Sequence, residues 1–141
     1  MSDIDHTPTI AEAALAISSR ELSAVELTES LLRRIEAWQP TLDAFITVTA
    51  DHALAQASAA DAEIAAGDYR GPLHGIPFGL KDIYATAGIL TTAHSRILEN
   101  NVPDEDCAPV ERLYDAGAIL LGKLSTHEFA HGGPAFDLPG P

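Results

Sequence analysis

The 141-residue sequence predicts an α/β layered fold, with helices covering an apolar sheet. Three observations carry that reading. Helix-like and strand-like segments alternate along the chain. Two of the strand candidates are almost continuously apolar, as expected where both faces of a sheet are covered. An alanine-rich segment supplies the small side chains that let a helix lie close to a sheet.

The first element is a short alanine-rich helix over residues 10–18, with Leu15 and Ile17 among its apolar residues. The second is a longer helix over residues 23–38. Ser23 and Glu26 have the spacing of a capping box, and Leu27, Leu31, Ile35 and Trp38 then recur at helical intervals up to Pro40, which is expected to stop it. Residues 44–49 are rich in β-branched and aromatic side chains and predict a strand. The alanine-rich helix over residues 51–66 follows, with Gly67 as its terminator.

Residues 73–80 read as a loop entering a second, buried strand that ends in Lys81 and Asp82. Residues 86–96 form a hydroxyl-bearing loop with Gly88, Thr91 and Thr92. Asp106 is expected to cap a helix that carries Pro109 in its first turn and ends at Gly117. Residues 118–122 then predict a third strand, delivering Lys123 at its end. About three strands make a small sheet, and parallel pairing is expected from the alternation with helices. The chain closes in an irregular Gly- and Pro-rich stretch from Gly132 onward, so the fold is expected to be incomplete.

Composition excludes several functions. At 46% apolar and 21% charged, the chain can bury a core. A formal charge of −13 disfavours direct contact with nucleic acid or an anionic membrane, because both require clustered basic residues. Cys107 is the sole cysteine, so no internal disulfide is possible and a reducing, cytoplasmic setting is expected. The N-terminus lacks the basic and apolar regions of a signal peptide, and no apolar run reaches bilayer length.

Two stretches carry candidate chemistry. Lys81 and Lys123 are the chain's two lysines, each following an apolar run. A lysine acts as a base only when its surroundings favour the neutral amine, and the end of a buried strand is one place to arrange that. The plainer reading is a lysine reaching from a strand end into water or pairing with Asp82. Lys123 is read as a strand-end residue. The second stretch, His127-Glu128-Phe129-Ala130-His131, matches the H-E-x-x-H pattern of zinc hydrolases. That chemistry needs both histidines on a stable helix and a third ligand downstream, whereas Gly132-Gly133-Pro134 follows directly and Asp137 is the one strong ligand type left. Cys107 beside Ala108-Pro109 reads as a small helix-start residue rather than a nucleophile, and His74 and His94 as loop histidines.

Taken in order, Gly71-Pro72-Leu73-His74-Gly75-Ile76-Pro77-Phe78-Gly79-Leu80-Lys81-Asp82, then Thr91-Thr92, Ala116-Gly117-Ala118-Ile119, Leu121-Gly122-Lys123 and Glu128-Phe129-Ala130 resemble the N-terminal part of the amidase signature family. The resemblance covers nearly the whole chain. It implies residues 1–141 as the N-terminal part of a single domain, with 1–70 a helical lead-in and 71–141 the lysine-bearing part of the core. It also implies a mixed β-sheet sandwiched by α-helices.

The activity implied is hydrolysis of the C–N bond of an amide, carbamate or urea-type substrate through a Ser–cis-Ser–Lys triad. Lys81 matches the family's catalytic lysine. In such enzymes the lysine takes a proton from a bridging serine, which activates a second serine to form an acyl-enzyme. No cofactor and no metal are implied. Leu124-Ser125-Thr126-His127 departs from the Thr-Asn-Met common after Gly-Lys, which makes Thr126, His127 and Phe129 candidate substrate contacts.

The family's serine-bearing segment lies downstream, so both catalytic serines are expected beyond residue 141 and this chain alone is expected to be inactive. Its expected partners are a small-molecule substrate, the remainder of the amidase chain and a second copy in a homodimer, with neither nucleic acid nor membrane. The alternatives are an A-type subunit of a glutaminyl-tRNA-forming amidotransferase, a zinc hydrolase using His127 and His131, and a non-catalytic scaffold.

Overall fold

The computed structural model describes residues 7–132 of the protein. Helix α1 spans Ile10–Ser18 and buries Ala13, Ala14 and Ile17. A capping box unread in the sequence starts it: Thr9 Oγ1 accepts from the Glu12 N–H, and Glu12 accepts from the Thr9 N–H. Helix α2 spans Ala24–Leu42 and starts at the expected Ser23–Glu26 box. It runs through Pro40, because a proline in the last turn removes little more than one helical hydrogen bond. The stop comes at Asp43, whose left-handed backbone turns the chain, while the Gln39 side chain bonds both the N–H and the C=O of Phe45.

Strand β1 (Phe45–Val48) leads into α3 (Ala50–Ala66), which ends on left-handed Gly67 as expected. Strand β2 is Pro77–Lys81, helix α4 is Ala108–Asp115 and strand β3 is Ile119–Leu124. Cys107, rather than Asp106, occupies the N-cap of α4, and Asp106 instead accepts from the Ala87 N–H. The helix ends at Asp115, two residues before Gly117. No helix among the described residues is long and apolar enough to cross a membrane.

The sheet has the order β1-β3-β2. β2 pairs with β3 in parallel, as the alternation predicts, and β1 pairs with β3 antiparallel, so the sheet is mixed, as the family resemblance implies. On one face Ile119 and Leu121 pack against Ala53, Ala57 and Ala60 of α3 and Ala24 of α2. On the other, Leu80 and Leu120 pack against Val110 of α4 and Ile89.

The register of β3 against β2 shifts after the Phe78–Leu120 pair, where Gly79 next pairs with Gly122 and Leu121 is passed over. That bulge resets the alternation of side chains. Lys123, which strict alternation would place with Ile119 and Leu121, pairs instead with Leu80 on the α4 face. The bulge requires a glycine. Gly122 has φ +155, and a Cβ there would meet Thr47 O at 2.2 Å.

Candidate active site

Lys81 is the last residue of β2, with an exposed side chain. Strand alternation places it on the face opposite Leu80 and Asp82. The sequence expectation of a lysine desolvated at a buried strand end is therefore not met by the packing of the described residues. What the fold does supply is a rigid mount. The Lys81 C=O accepts from the N–H groups of Ile83 (2.8 Å) and Tyr84 (3.2 Å), which closes a tight turn directly after the strand. The Asp82 N–H donates to Leu124 O at 3.1 Å, and Asp82 O accepts from the Ala93 N–H at 2.8 Å.

Beneath that turn lies a buried polar cluster. Asp82 has no exposed surface, and its Oδ2 accepts from both the N–H (2.9 Å) and the hydroxyl (2.6 Å) of Thr92. Lys123 is also fully buried, so it is not the plain strand-end residue expected from the sequence. Its ammonium donates to Tyr84 O (2.7 Å) and to the hydroxyls of Thr91 (2.7 Å) and Thr86 (3.3 Å), and stands 3.6 Å from Asp82 Oδ1. Burial pushes the Lys123 amine below the ordinary lysine value, and the Asp82 carboxylate pulls it back up. Asp82 Oδ1 has no hydrogen bond of its own among the described residues, so the Lys123 charge is what compensates it.

The segment carrying Thr126, His127 and Phe129 is pinned to the loop after Asp82. Thr126 O accepts from His94 Nδ1, the Phe129 N–H donates to Ala93 O at 2.9 Å, and Ser95 Oγ donates to Glu128 Oε1 at 2.7 Å. Thr126 is half-buried, while His127 and Phe129 are exposed. A cleft of about 300 Å³ opens beside them, lined by Phe45, Thr92, His94, Ser95, Arg96 and Ser125 among others, but by none of the three predicted contacts.

His127 and His131 both have extended backbone and flank a single 3₁₀ turn over Glu128–Ala130, interrupted by left-handed Phe129. They are not one turn apart on a helix, so the zinc-hydrolase arrangement is not formed. Among the described residues no cluster of three or more ligand-type side chains exists. Asp137 lies outside the described residues. Cys107 is half-buried and makes no capping bond through its sulfur. His74 is buried against Glu63, Arg70 and Tyr69, which sets it in the packing between α3 and the loop before β2.

The group that sequence reasoning missed is Asp82, Thr86, Thr91, Thr92 and Lys123 acting together. Its one signal was that the chain's two lysines each follow an apolar run, with the Thr91-Thr92 pair between them.

The residue pattern of the family described as Amidase matches residues 26–135. The A subunit of the glutamyl-tRNA(Gln) amidotransferase of Roseiflexus sp. (strain RS-1) is 50% identical over 127 residues, which cover 90% of this chain and 26% of that protein. Its namesake from Geotalea daltonii is 53% identical over 124 residues, covering 88% of this chain and 25% of the relative. Among solved structures, the peptide amidase of Stenotrophomonas maltophilia superposes with a TM-score of 0.83 at 39% identity, over 89% of this chain and 26% of that one. The chain thus spans about a quarter of the length of the relatives it matches. With the lysine-bearing strand, the mixed sheet and these matches in agreement, the chain belongs to the amidase family.

Proposed function

We propose that this chain forms part of an amidase that cleaves the C–N bond of an amide through a serine nucleophile, with Lys81 as the base. The observation that carries the proposal is the mounting of Lys81: its side chain is exposed on one face of the sheet, while its backbone is held by a hydrogen-bonded turn over a buried ion pair. A lysine base needs a fixed position and, in the working site, cover from water. The family membership supports the chemistry. The serines and the groups that hold the oxyanion are assigned to sequence outside residues 1–141, which would also close over Lys81. In the reaction, the neutral amine takes a proton from a bridging serine and the second serine attacks the carbonyl. The Lys81 ammonium returns its proton through the bridging serine to the leaving amine of the substrate, and water then hydrolyses the acyl-enzyme. Thr126, His127 and Phe129 are assigned to the substrate side on the strength of their tethering to the loop after Asp82. The working site is assigned to a soluble, cytoplasmic protein.

The test is Lys81→Met in the full-length protein. Amide turnover should fall by about a thousandfold or more, with the fold intact by circular dichroism. Turnover equal to that of the unmodified protein rules the proposal out.

A second reading is favoured by the roughly 50% identity to the amidotransferase relatives, against 39% to the peptide amidase. In that case the amide cleaved is that of glutamine, and the ammonia released goes to an acceptor. Ammonia release from glutamine that depends on added glutamyl-tRNA(Gln) and companion subunits separates the two. The −13 charge of this segment places any contact with tRNA elsewhere in such an assembly.

A further inference from the structure

We propose that Asp82 and Lys123 form a buried ion pair whose task is to position Lys81, acting through the backbone of the turn that follows it. The inference rests on the reading of Lys81 as a base and deepens it. Neither residue of the pair is a catalytic residue here. Both side chains lie on the opposite face of the sheet from Lys81, and both are wholly buried.

The geometry makes the pair a clamp on one turn. Lys123 reaches the carbonyl of Tyr84, whose own N–H bonds Lys81 O. The same ammonium holds the hydroxyls of Thr86 and Thr91, and so ties the start of the turn to the loop that returns across it. Asp82 closes the circuit by taking both donors of Thr92, the residue next to Thr91, while its own C=O takes the Ala93 N–H. Every residue from Lys81 to Tyr84 therefore has at least one polar backbone group bonded within this unit, or contributes to it through its side chain.

Burying two opposite charges is an expensive way to fill a core, since a well-packed apolar pair of similar size is often as stable or more so. What an ion pair gives that an apolar pair cannot is direction. The ammonium directs its donors at three named acceptors and the carboxylate takes both donors of Thr92, so displacing the turn would break several hydrogen bonds at once. The bulge at Leu121 and Gly122 is the backbone device that brings Lys123 to this face. A Cβ at Gly122 would strike the neighbouring strand, so the device depends on that glycine.

Lys123→Met, Asp82→Asn and Thr92→Val in the full-length amidase test this, with steady-state kinetics normalised to the folded fraction. Lys123→Met and Asp82→Asn should each lower kcat by about 100-fold while KM stays within about threefold, the signature of a displaced base with intact substrate contacts. Thr92→Val removes the hydroxyl that donates to Asp82 and accepts from the His94 N–H, nearly keeps the volume, and should lower kcat by about tenfold with KM unchanged, so the inference stays testable if a charge variant fails to fold. A kcat per folded molecule equal to wild type, or a change confined to KM, overturns the positioning role. Lys81→Met separates the two proposals. If it is inactive while the clamp variants turn over normally, the base reading stands and this inference fails; if it remains active, the base reading itself fails.

Discussion

The carboxylate of Asp61, in the middle of α3, receives the N–H of Ala24 at 2.7 Å and that of Val25 at 3.1 Å, capping the start of α2 from a neighbouring helix. Ser23 and Glu26 cap the same end locally, so the helix start has two independent sets of acceptors. Ala24 is fully buried, which keeps water from replacing Asp61. The negative charge also lies at the positive end of the α2 dipole. Asp61→Ala should destabilise the protein by about 2 kcal/mol, read from the urea unfolding midpoint. An unchanged midpoint would mean that the Ser23–Glu26 box alone suffices.

The Asp82–Lys123 pair makes a separate prediction about stability. Removing one partner leaves the other charge buried and uncompensated, so Lys123→Met and Asp82→Leu should each cost about 3–5 kcal/mol. The double variant should be less destabilised than either single one, because it leaves no orphan charge. Denaturant unfolding of the four proteins gives this as a double-mutant cycle. Additive losses would show that the two side chains do not compensate each other.

The contrast between these two sites shows what could be read from the sequence. The start of α2, the Gly67 terminator and the apolar runs of β2 and β3 follow from local chemistry, and so they were legible. The place of Lys81 at the end of β2 was legible too, because it lies in a contiguous motif, whereas the buried surroundings expected for it are not found among the described residues. Lys123 was not legible. Its burial depends on one passed-over residue, Leu121, in the pairing of β2 with β3, and a register shift between strands about 40 residues apart leaves no local trace. The antiparallel pairing of β1 is likewise non-local, and a mixed sheet followed from the family resemblance alone. Pro40 misled in the other direction: a proline usually marks a helix end, but here the cost is confined to the last turn of a helix held by Gln39 and Asp43.

Gly122 offers the sharpest test of the bulge. An added Cβ would lie 2.2 Å from Thr47 O and 3.1 Å from Val48 Cα, both of them backbone atoms of β1 that cannot swing away. The φ of +155 adds strain for any side chain. Gly122→Ala should destabilise on the order of 3 kcal/mol, while Gly88→Ala, at a positive φ but with open space around it, should cost on the order of 1 kcal/mol. Thermal unfolding of the two variants side by side gives the comparison. Equal losses would assign the effect to backbone angle alone and remove the close approach of β1 as its cause.

His74 predicts how stability responds to acid. Its Nδ1 accepts from the Arg70 N–H at 3.1 Å, which places the ring proton on Nε2, 3.1 Å from Glu63 Oε2. Burial pushes the imidazole below its ordinary value of 6.5; the Glu63 carboxylate pulls it up, and Arg70 adds to the depression. Between the lowered folded value and 6.5 the unfolded chain binds more protons than the folded one, so stability rises with pH across that interval. On acidification it is lost progressively from pH 6.5 down to the folded value. Glu63, held below its ordinary value of 4.5 chiefly by its hydrogen bond to Arg70, adds a second loss that begins below pH 4.5. His74→Gln should remove the first slope and keep the second. Unfolding free energies measured by urea titration from about pH 3 to 7.5 separate the two intervals. If the variant keeps the slope just below pH 6.5, another group carries it and His74 is not the source.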